Sequence, residues 1–207
     1  MRVLVIESTP GAGGDALTAL GDAGHEIVTC HESGPAFPCK GLAADPGCPL
    51  DTGTVDAALL VRDIPTSEPT AFESGVRCAL RRKVPLAVAG ITDRNPYGGH
   101  ASVVSPGFDE LVEVTEQAGS IGLMPLADAA RSALQRMLDH EGLDSSVADV
   151  SVERSGSTLA ITLLPGVCLD PVLAETASVR ALAAVRGLDP QSSIIDVAVE
   201  SPAISPV

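Results

Sequence analysis

Three of the five cysteines, Cys30, Cys39 and Cys48, lie in one segment rich in Gly and Pro, and His31 follows the first of them. Thiolate and imidazole are the ligands that borderline-soft metal ions prefer, so this set predicts a zinc site, with His31 or His100 as the fourth ligand. Two interpretations compete with metal binding: inert thiols, and a disulfide or redox pair formed by Cys39 and Cys48.

A run of glycines, Gly11, Gly13 and Gly14, follows the first predicted strand and opens the first predicted helix. Its pattern is G-x-G-x-x-A, in which glycines let the backbone approach a pyrophosphate and the helix N-terminus stabilises negative charge. The run therefore predicts a site for a nucleotide or another anionic cofactor. The alternative is a flexible connection between strand and helix, which the negative charge of Asp15 favours.

A third group of polar residues, Tyr97 and His100 among them, lies in a loop at 91–104 that follows the fourth predicted strand. In open α/β sheets, ligands bind at the carboxyl ends of the strands. Tyr97 and His100 are therefore candidates for contact with a bound cofactor, and His100 is a candidate to reach the cysteine segment. A solvated turn is the competing interpretation of this loop.

The elements that must position these groups alternate along the first two thirds of the chain. Short apolar runs predict strands at 2–7, 26–30, 55–61, 85–89 and 120–123. Capping signals and helical periodicity predict helices at 13–23, 70–83, 105–119 and 126–140. This alternation predicts an α/β fold, a Rossmann-like, doubly wound parallel sheet of the flavodoxin or receiver type. The cysteine segment at 31–54 replaces the second helix.

The pattern changes after residue 142. Alternating residues predict a hairpin with strands at 147–153 and 159–164, followed by a helix at 170–186 and a strand at 193–199. These elements form a small α+β domain of ββαβ order. The predicted domains are therefore 1–141 and 142–207.

The order of elements over residues 1–141 resembles the receiver domain of bacterial response regulators. A working receiver has acidic residues after its first strand, a phosphoacceptor Asp at the end of the third and a Lys after the fifth. Here Glu7 follows the first strand, Val61 stands at the acceptor position with Asp63 two residues later, and Gly90 takes the place of the usual hydroxyl residue. The resemblance implies a degenerate receiver used for binding rather than for phosphotransfer.

Composition excludes several classes of partner. The net charge of −14 disfavours nucleic acid and anionic membranes, because both are polyanions, and aromatic residues make up only 2% of the chain. No apolar run approaches the length that spans a bilayer, and no leader pattern precedes the first strand. We expect a cytoplasmic protein, and the bias towards Ala and Arg suggests a bacterial source.

The sequence contains no nucleophile elbow, Walker A loop or HExxH helix. It therefore favours a non-catalytic binding or regulatory protein, stabilised by zinc at the cysteine segment, whose second domain contacts a protein partner or a second copy. One alternative is an enzyme or enzyme accessory that binds a nucleotide at the glycine run. The other is a thiol-redox protein that uses Cys39 and Cys48.

Overall fold

The computed structural model describes residues 1–31, 39–42, 47–189 and 192–200. The chain divides into two compact units, Met1–Gly122 and Leu123–Val207. The sequence-based boundary follows residue 141, whereas the structure assigns the helical residues from 123 to 140 to the second unit. The predicted tail at 201–207 lies outside the described residues.

The first unit is built on five parallel strands. They are β1 (Arg2–Glu7), β2 (Glu26–Thr29), β3 (Ala57–Arg62), β4 (Leu86–Gly90) and β5 (Val103–Pro106). Their order across the sheet is β2-β1-β3-β4-β5, which is the order of flavodoxin-like folds. Three helices follow strands in the chain: α1 (Gly14–Asp22), α2 (Ser74–Arg81) and α3 (Leu111–His140). The predicted parallel α/β sheet is confirmed.

Helices cover both faces of this sheet because successive strand residues point to opposite sides. On one face, Leu4 and Ile6 of β1 pack with Val76 and Ala79 of α2. On the other face lie residues of β1, α1 and the first turns of α3, which are Val3, Val5, Ala16, Leu20, Leu111, Val114 and Ala118. Every residue of β3 and β4 is buried, as expected for central parallel strands.

The two helices and the intervening strand predicted over residues 105–140 are wrong. The fifth strand is Val103–Pro106, where Ala87 of β4 pairs with Val103, and a single helix runs from Leu111 to His140. Glycine does not end this helix. A Cβ at Gly119 would meet Met1, and a Cβ at Gly122 would lie 2.3 Å from Pro85 Cγ, so these glycines allow the helix to pack closely within the first unit.

The start of α2 also differs from prediction. The helix begins at Ser74, with Glu73 as its N-cap residue, rather than at Thr70. The Thr70 hydroxyl donates to Ser8 O at 2.7 Å, which ties this residue to the loop after β1. Only half of the predicted capping box forms, because the Glu73 carboxylate accepts from Thr70 N at 2.9 Å.

The second unit has the predicted ββαβ order. Strands β6 (Asp149–Ser155) and β7 (Thr158–Leu164) form an antiparallel hairpin, and β8 (Ile194–Val199) lies parallel to β7, which makes a small mixed sheet. Helix α4 (Pro171–Arg186) has Asp170 as its N-cap residue, and the Asp170 side chain accepts from two backbone N–H groups. Its core combines Leu134 and Met137 of α3 with Ile161 of β7.

Candidate functional site

A cleft of about 590 Å³ opens at the carboxyl ends of β1 and β2. We call it the β1–β2 cleft. It brings together two groups that sequence spacing selected separately, the glycine run and the Cys30-His31 pair. Its polar lining is Glu7, Gly11, Gly13, Gly14, Thr29, Cys30, His31 and Lys40, and its apolar lining is Val5, Ile6, Leu17 and Phe72.

One wall of the cleft is the turn between β1 and α1, which the Glu7 carboxylate holds. Glu7 Oε2 accepts from Gly11 N at 3.0 Å and from Gly13 N at 3.2 Å. Gly11 has a φ of +88°, a conformation that suits glycine. The amides that a phosphate would use are therefore bonded to an anion from the chain itself, and Asp15 adds a second negative charge in the first turn of α1. This geometry disfavours phosphate binding at the turn.

The opposite wall is the end of β2 and the segment that crosses it. Lys40 N donates to Cys30 O at 2.9 Å, and Lys40 Nζ donates to Thr29 Oγ1 at 3.0 Å. These two bonds fasten a short 3₁₀ turn at Lys40–Leu42 to the strand. A ligand in the cleft would meet a carboxylate on one side and an ammonium group, an imidazole and a thiol on the other.

Three other cysteines, Cys39, Cys48 and Cys78, lie close enough to Cys30 to influence its ionisation. We call these four residues the thiol cluster. The Cys30 side chain is buried among residues of the sheet and α2, with 6% of the residue exposed. Burial, with the Cys39, Cys48 and Cys78 thiols adding to it, raises the pKa of Cys30 to about 12, while Lys40 acts in the opposite direction. Cys30 is thus a neutral thiol at pH 7 unless a cation binds it.

The predicted ligands Cys30, Cys39 and Cys48 belong to the thiol cluster, together with Cys78, which sequence spacing did not select. As the side chains stand, no group of three or more His, Cys, Asp or Glu residues in the described ranges is arranged to hold a metal ion. All five cysteines, each within the described ranges, are free thiols. His31 lines the β1–β2 cleft beside Cys30.

The carboxyl ends of β1 and β3, where the direction of winding reverses, are closed by hydrogen bonds. The Ser8 hydroxyl donates to Asp63 Oδ1 at 2.6 Å, the Thr9 hydroxyl donates to Asp63 Oδ2, and Asp63 N donates back to Ser8 Oγ at 3.0 Å. Burial acts to raise the pKa of Asp63, but these hydrogen bonds outweigh it and hold the pKa below its ordinary value. Asp63 fixes the β1 and β3 loops to each other.

A buried ion pair lies at the start of α2. Arg62 Nε donates to Glu73 Oε1 at 2.9 Å, and neither side chain is exposed. Arg62 also donates to Thr66 O at 2.8 Å, but its Nη1 atom has no hydrogen-bond partner. Tyr97 belongs to the hydrophobic core on the α2 face of the sheet, and its hydroxyl has no hydrogen-bond partner. Burial and, next, the Glu73 carboxylate raise the pKa of Tyr97 to about 12.

Tyr97 and His100 thus lie apart from the glycine run with which sequence analysis grouped them. Tyr97 is 5% exposed and belongs to the core on the α2 face, whereas His100 is exposed on the loop between β4 and β5. Neither residue lines the β1–β2 cleft. The loop follows β4 at the carboxyl edge of the sheet, as predicted, and within it Tyr97 N donates to Asn95 Oδ1 at 2.9 Å.

No protein-family model, curated protein or solved structure matches this chain. No helix in the described part of the chain is both long enough and apolar enough to cross a bilayer.

Sequence reasoning missed three residues that shape the site. The sequence places Glu7 at the end of the first strand, but its hydrogen bonds to the glycine turn depend on the direction of backbone N–H groups, which no sequence pattern shows. Cys78 lies 30 residues beyond Cys48 on a helix, so spacing along the chain gave no signal. Lys40 did leave a signal in the sequence, because it is one of only two lysines and directly follows Cys39.

Proposed function

We propose that this chain is a non-catalytic binding or regulatory protein of the bacterial cytoplasm whose first unit is stabilised by zinc bound at the cysteine segment. The ligand set of that site includes Cys30, Cys39 and Cys48, with His31 as the fourth ligand selected by sequence. The zinc would organise the wall of the β1–β2 cleft, and the cleft would hold a small ligand.

The observation that carries this proposal is the position of Cys30. Its thiol is buried at the end of β2, beside the cleft, and the segment with Cys39 is bonded to its carbonyl through Lys40 N. The sequence predicts neither a helix nor a strand over residues 31–54, and a segment of this kind in a compact domain needs some other source of stability. Zinc bound by thiolates supplies folding free energy of this kind.

The charged groups that line the cleft restrict the class of ligand that it can bind. Glu7 occupies the glycine amides and Asp15 lies nearby, so a nucleotide phosphate would meet two carboxylates. Lys40 and Glu7 on opposite walls instead suit a small polar molecule that carries both an anionic and a cationic group. We therefore favour such a ligand over the nucleotide expected from the glycine pattern.

The second unit would supply the contact with a protein partner or a second copy. Helix α4 carries two exposed apolar residues, Val172 and Val179, which are 72% and 58% exposed. They are seven residues apart and therefore lie on one side of the helix. An acidic chain that avoids polyanions is suited to contact with proteins.

The experiment that tests the zinc proposal is metal analysis of protein purified without chelator or affinity metal. We expect close to one equivalent of zinc in the wild-type protein, loss of that zinc in Cys30→Ser, Cys39→Ser and Cys48→Ser, and full retention in Cys168→Ser. Cys168 is exposed in the second unit and serves as the matched control. A wild-type protein that neither contains nor takes up zinc would overturn the proposal.

A second candidate function is thiol redox chemistry, which the surroundings of Gly41 favour. A Cβ placed at Gly41 would lie 3.2 Å from Cys48 Cβ and 3.6 Å from Cys39 Sγ, so these cysteines border the same residue. In this reaction the two thiols give two electrons and two protons to a partner disulfide, which becomes two thiols, while an S–S bond forms between Cys39 and Cys48. After treatment with oxidised glutathione, peptide mapping should find the Cys39–Cys48 disulfide in the wild type, whereas this disulfide cannot form in Cys48→Ser.

A further inference from the structure

We propose that Cys78 is the fourth ligand of the zinc site, so that Cys30, Cys39, Cys48 and Cys78 bind one tetrahedral ion that joins the cysteine segment to α2. This inference rests on the proposed function, because it names the ligand set of the same site. Four thiolates are one of the standard ligand sets of structural zinc. The sequence predicts His31 or His100 as the fourth ligand, whereas the contacts of α2 favour Cys78.

The first contact lies at the start of α2. The point that a Cβ at Gly75 would occupy is 2.9 Å from Cys30 Sγ, so the Cys30 thiol lies directly against the helix where a side chain is missing. Cys78 follows three residues later. Residues three apart are neighbours on one side of a helix, so the Cys78 thiol starts one turn from the surface that Cys30 covers.

The second contact lies at the end of α2. Arg82, which follows the last residue of the helix, forms an ion pair with Asp51, and Asp51 N donates to Cys48 O at 2.9 Å. Arg82 is four residues beyond Cys78 and therefore also one turn away from it. Cys78 thus lies on α2 between Gly75, which faces Cys30, and Arg82. Arg82 is linked through Asp51 to the backbone of Cys48.

The remaining thiol is placed by the 3₁₀ turn. Gly41 N donates to Cys39 Sγ at 3.4 Å, and the same glycine faces Cys48 Cβ. Since Lys40 N is bonded to Cys30 O, this turn lies beside the end of β2. These contacts place Cys30, Cys39 and Cys48 in one region, and the positions of Gly75 and Arg82 place Cys78 on the part of α2 that borders it.

As the side chains stand, these four described cysteines are not arranged to hold a metal ion, so completion of the site requires their thiols to move. Cys78 is exposed and Cys39 is half-buried, so their thiols can change rotamer without entering the core. Each thiol loses a proton to solvent as its sulfur–metal bond forms. The Lys40 ammonium, bonded to Thr29 beside Cys30, offsets part of the negative charge that four thiolates leave on the zinc. The zinc would then connect β2, the 3₁₀ turn, the residues around Cys48 and α2.

The test is titration of the reduced, metal-free full-length protein with Co²⁺ alone, followed by competition with Zn²⁺. We compare the wild type with Cys78→Ser, Cys78→His, His31→Ala and Cys168→Ser. For the wild type we expect the absorption of tetrahedral cobalt bound by four thiolates. Cys78→Ser should weaken binding by more than about 100-fold, because loss of a group behind a ligand already costs about 10- to 100-fold. Cys78→His should regain binding with the spectrum of three thiolates and one nitrogen.

The controls separate this inference from the proposed function. His31→Ala and Cys168→Ser should keep the wild-type spectrum and affinity. If Cys78→Ser binds cobalt like the wild type while His31→Ala does not, the zinc site exists with His31 as its ligand, and the role of Cys78 is overturned. If the folded wild type binds neither Co²⁺ nor Zn²⁺, both the inference and the zinc proposal fail.

Discussion

The carboxylate of Glu7 accepts a hydrogen bond from the backbone N–H of Gly13 at 3.2 Å, across the turn that joins β1 to α1. The same Oε2 atom accepts from Gly11 N at 3.0 Å. A pattern of glycines that elsewhere receives a phosphate is therefore satisfied here by a side chain of the preceding strand. The Glu7 carboxylate supplies the negative charge at this turn, so the turn does not need an anionic ligand.

Replacement of Glu7 by Ala should create an anion site that the wild type lacks. The substitution frees two amides and removes one negative charge, while the glycine turn keeps its length. We expect Glu7→Ala to bind inorganic phosphate at least about tenfold more tightly than the wild type, a difference of about 1.4 kcal/mol. Isothermal titration calorimetry in low salt measures this directly.

Glu7→Gln is the matched control for charge. Its side-chain oxygen still accepts from Gly11 N and Gly13 N, so the amides remain occupied although the charge is gone. It should therefore bind phosphate as poorly as the wild type. Equal phosphate binding by the wild type and Glu7→Ala would show that the carboxylate does not block the turn.

The parallel sheet was predictable because its central strands are continuous apolar runs. Residues 57–62 are all buried, and the glycine run and Cys30 both follow strands of that sheet, so their meeting at one edge follows from its direction. The fifth strand was not predictable in the same way. It has only four residues, alternately exposed, and its place depends on Val103 pairing with Ala87 of β4.

Long-range contacts account for the other differences. Gly119 ends a predicted helix and Gly122 lies in a predicted strand, yet both lie inside α3, where Met1 and Pro85 occupy the space next to them. Cys78 joins the thiol cluster because α2 packs with Gly75 against Cys30. Neither contact leaves a periodic pattern in the chain, so local rules could not predict it.

Gly90→Ala should strongly destabilise the first unit. Gly90 has a φ of +99°, and an added Cβ would lie 2.2 Å from the carbonyl oxygen of Arg62 and 2.6 Å from the ring of Phe108. We expect the free energy of unfolding to fall by about 2–4 kcal/mol. Denaturant titration followed by tyrosine fluorescence reports this unit, because Tyr97 is the one tyrosine of a chain without tryptophan.

Gly99→Ala is the control for the loss of a glycine. Gly99 lies in the loop between β4 and β5, without a positive φ and with open space around its Cβ position. Its free energy of unfolding should stay within about 0.5 kcal/mol of the wild type. Similar values for the two variants would contradict the close approach of Gly90 to Arg62.

Glu73→Ala should destabilise the first unit by about 3–5 kcal/mol, because it leaves the Arg62 guanidinium buried without its counter-charge. Both side chains of this pair are fully buried. Glu68→Ala, at an exposed position nearby, should change stability by less than about 0.5 kcal/mol. The double variant Arg62→Met, Glu73→Leu should be more stable than Glu73→Ala. A loss below about 1 kcal/mol in Glu73→Ala would contradict a buried charge at Arg62.

Tyr97 should ionise with a pKa of about 12, well above the usual tyrosine range, because burial and the Glu73 carboxylate both oppose its phenolate. The folded protein therefore favours the neutral phenol more than the unfolded chain does. This contribution to stability is complete below about pH 10, the ordinary value, and is lost as the pH rises through about 12. The free energy of unfolding should fall over that interval.

Ultraviolet absorbance of tyrosinate measures this directly, since the chain has a single tyrosine. The native protein should show a midpoint near 12, and the protein in denaturant a midpoint near the ordinary value of about 10. Arg77 lies on the exposed side of α2 and lowers the pKa of Tyr97, so Arg77→Ala should move the native midpoint upwards. A native midpoint equal to that in denaturant would mean that the phenol is solvated, and it would contradict the burial of Tyr97 in the core.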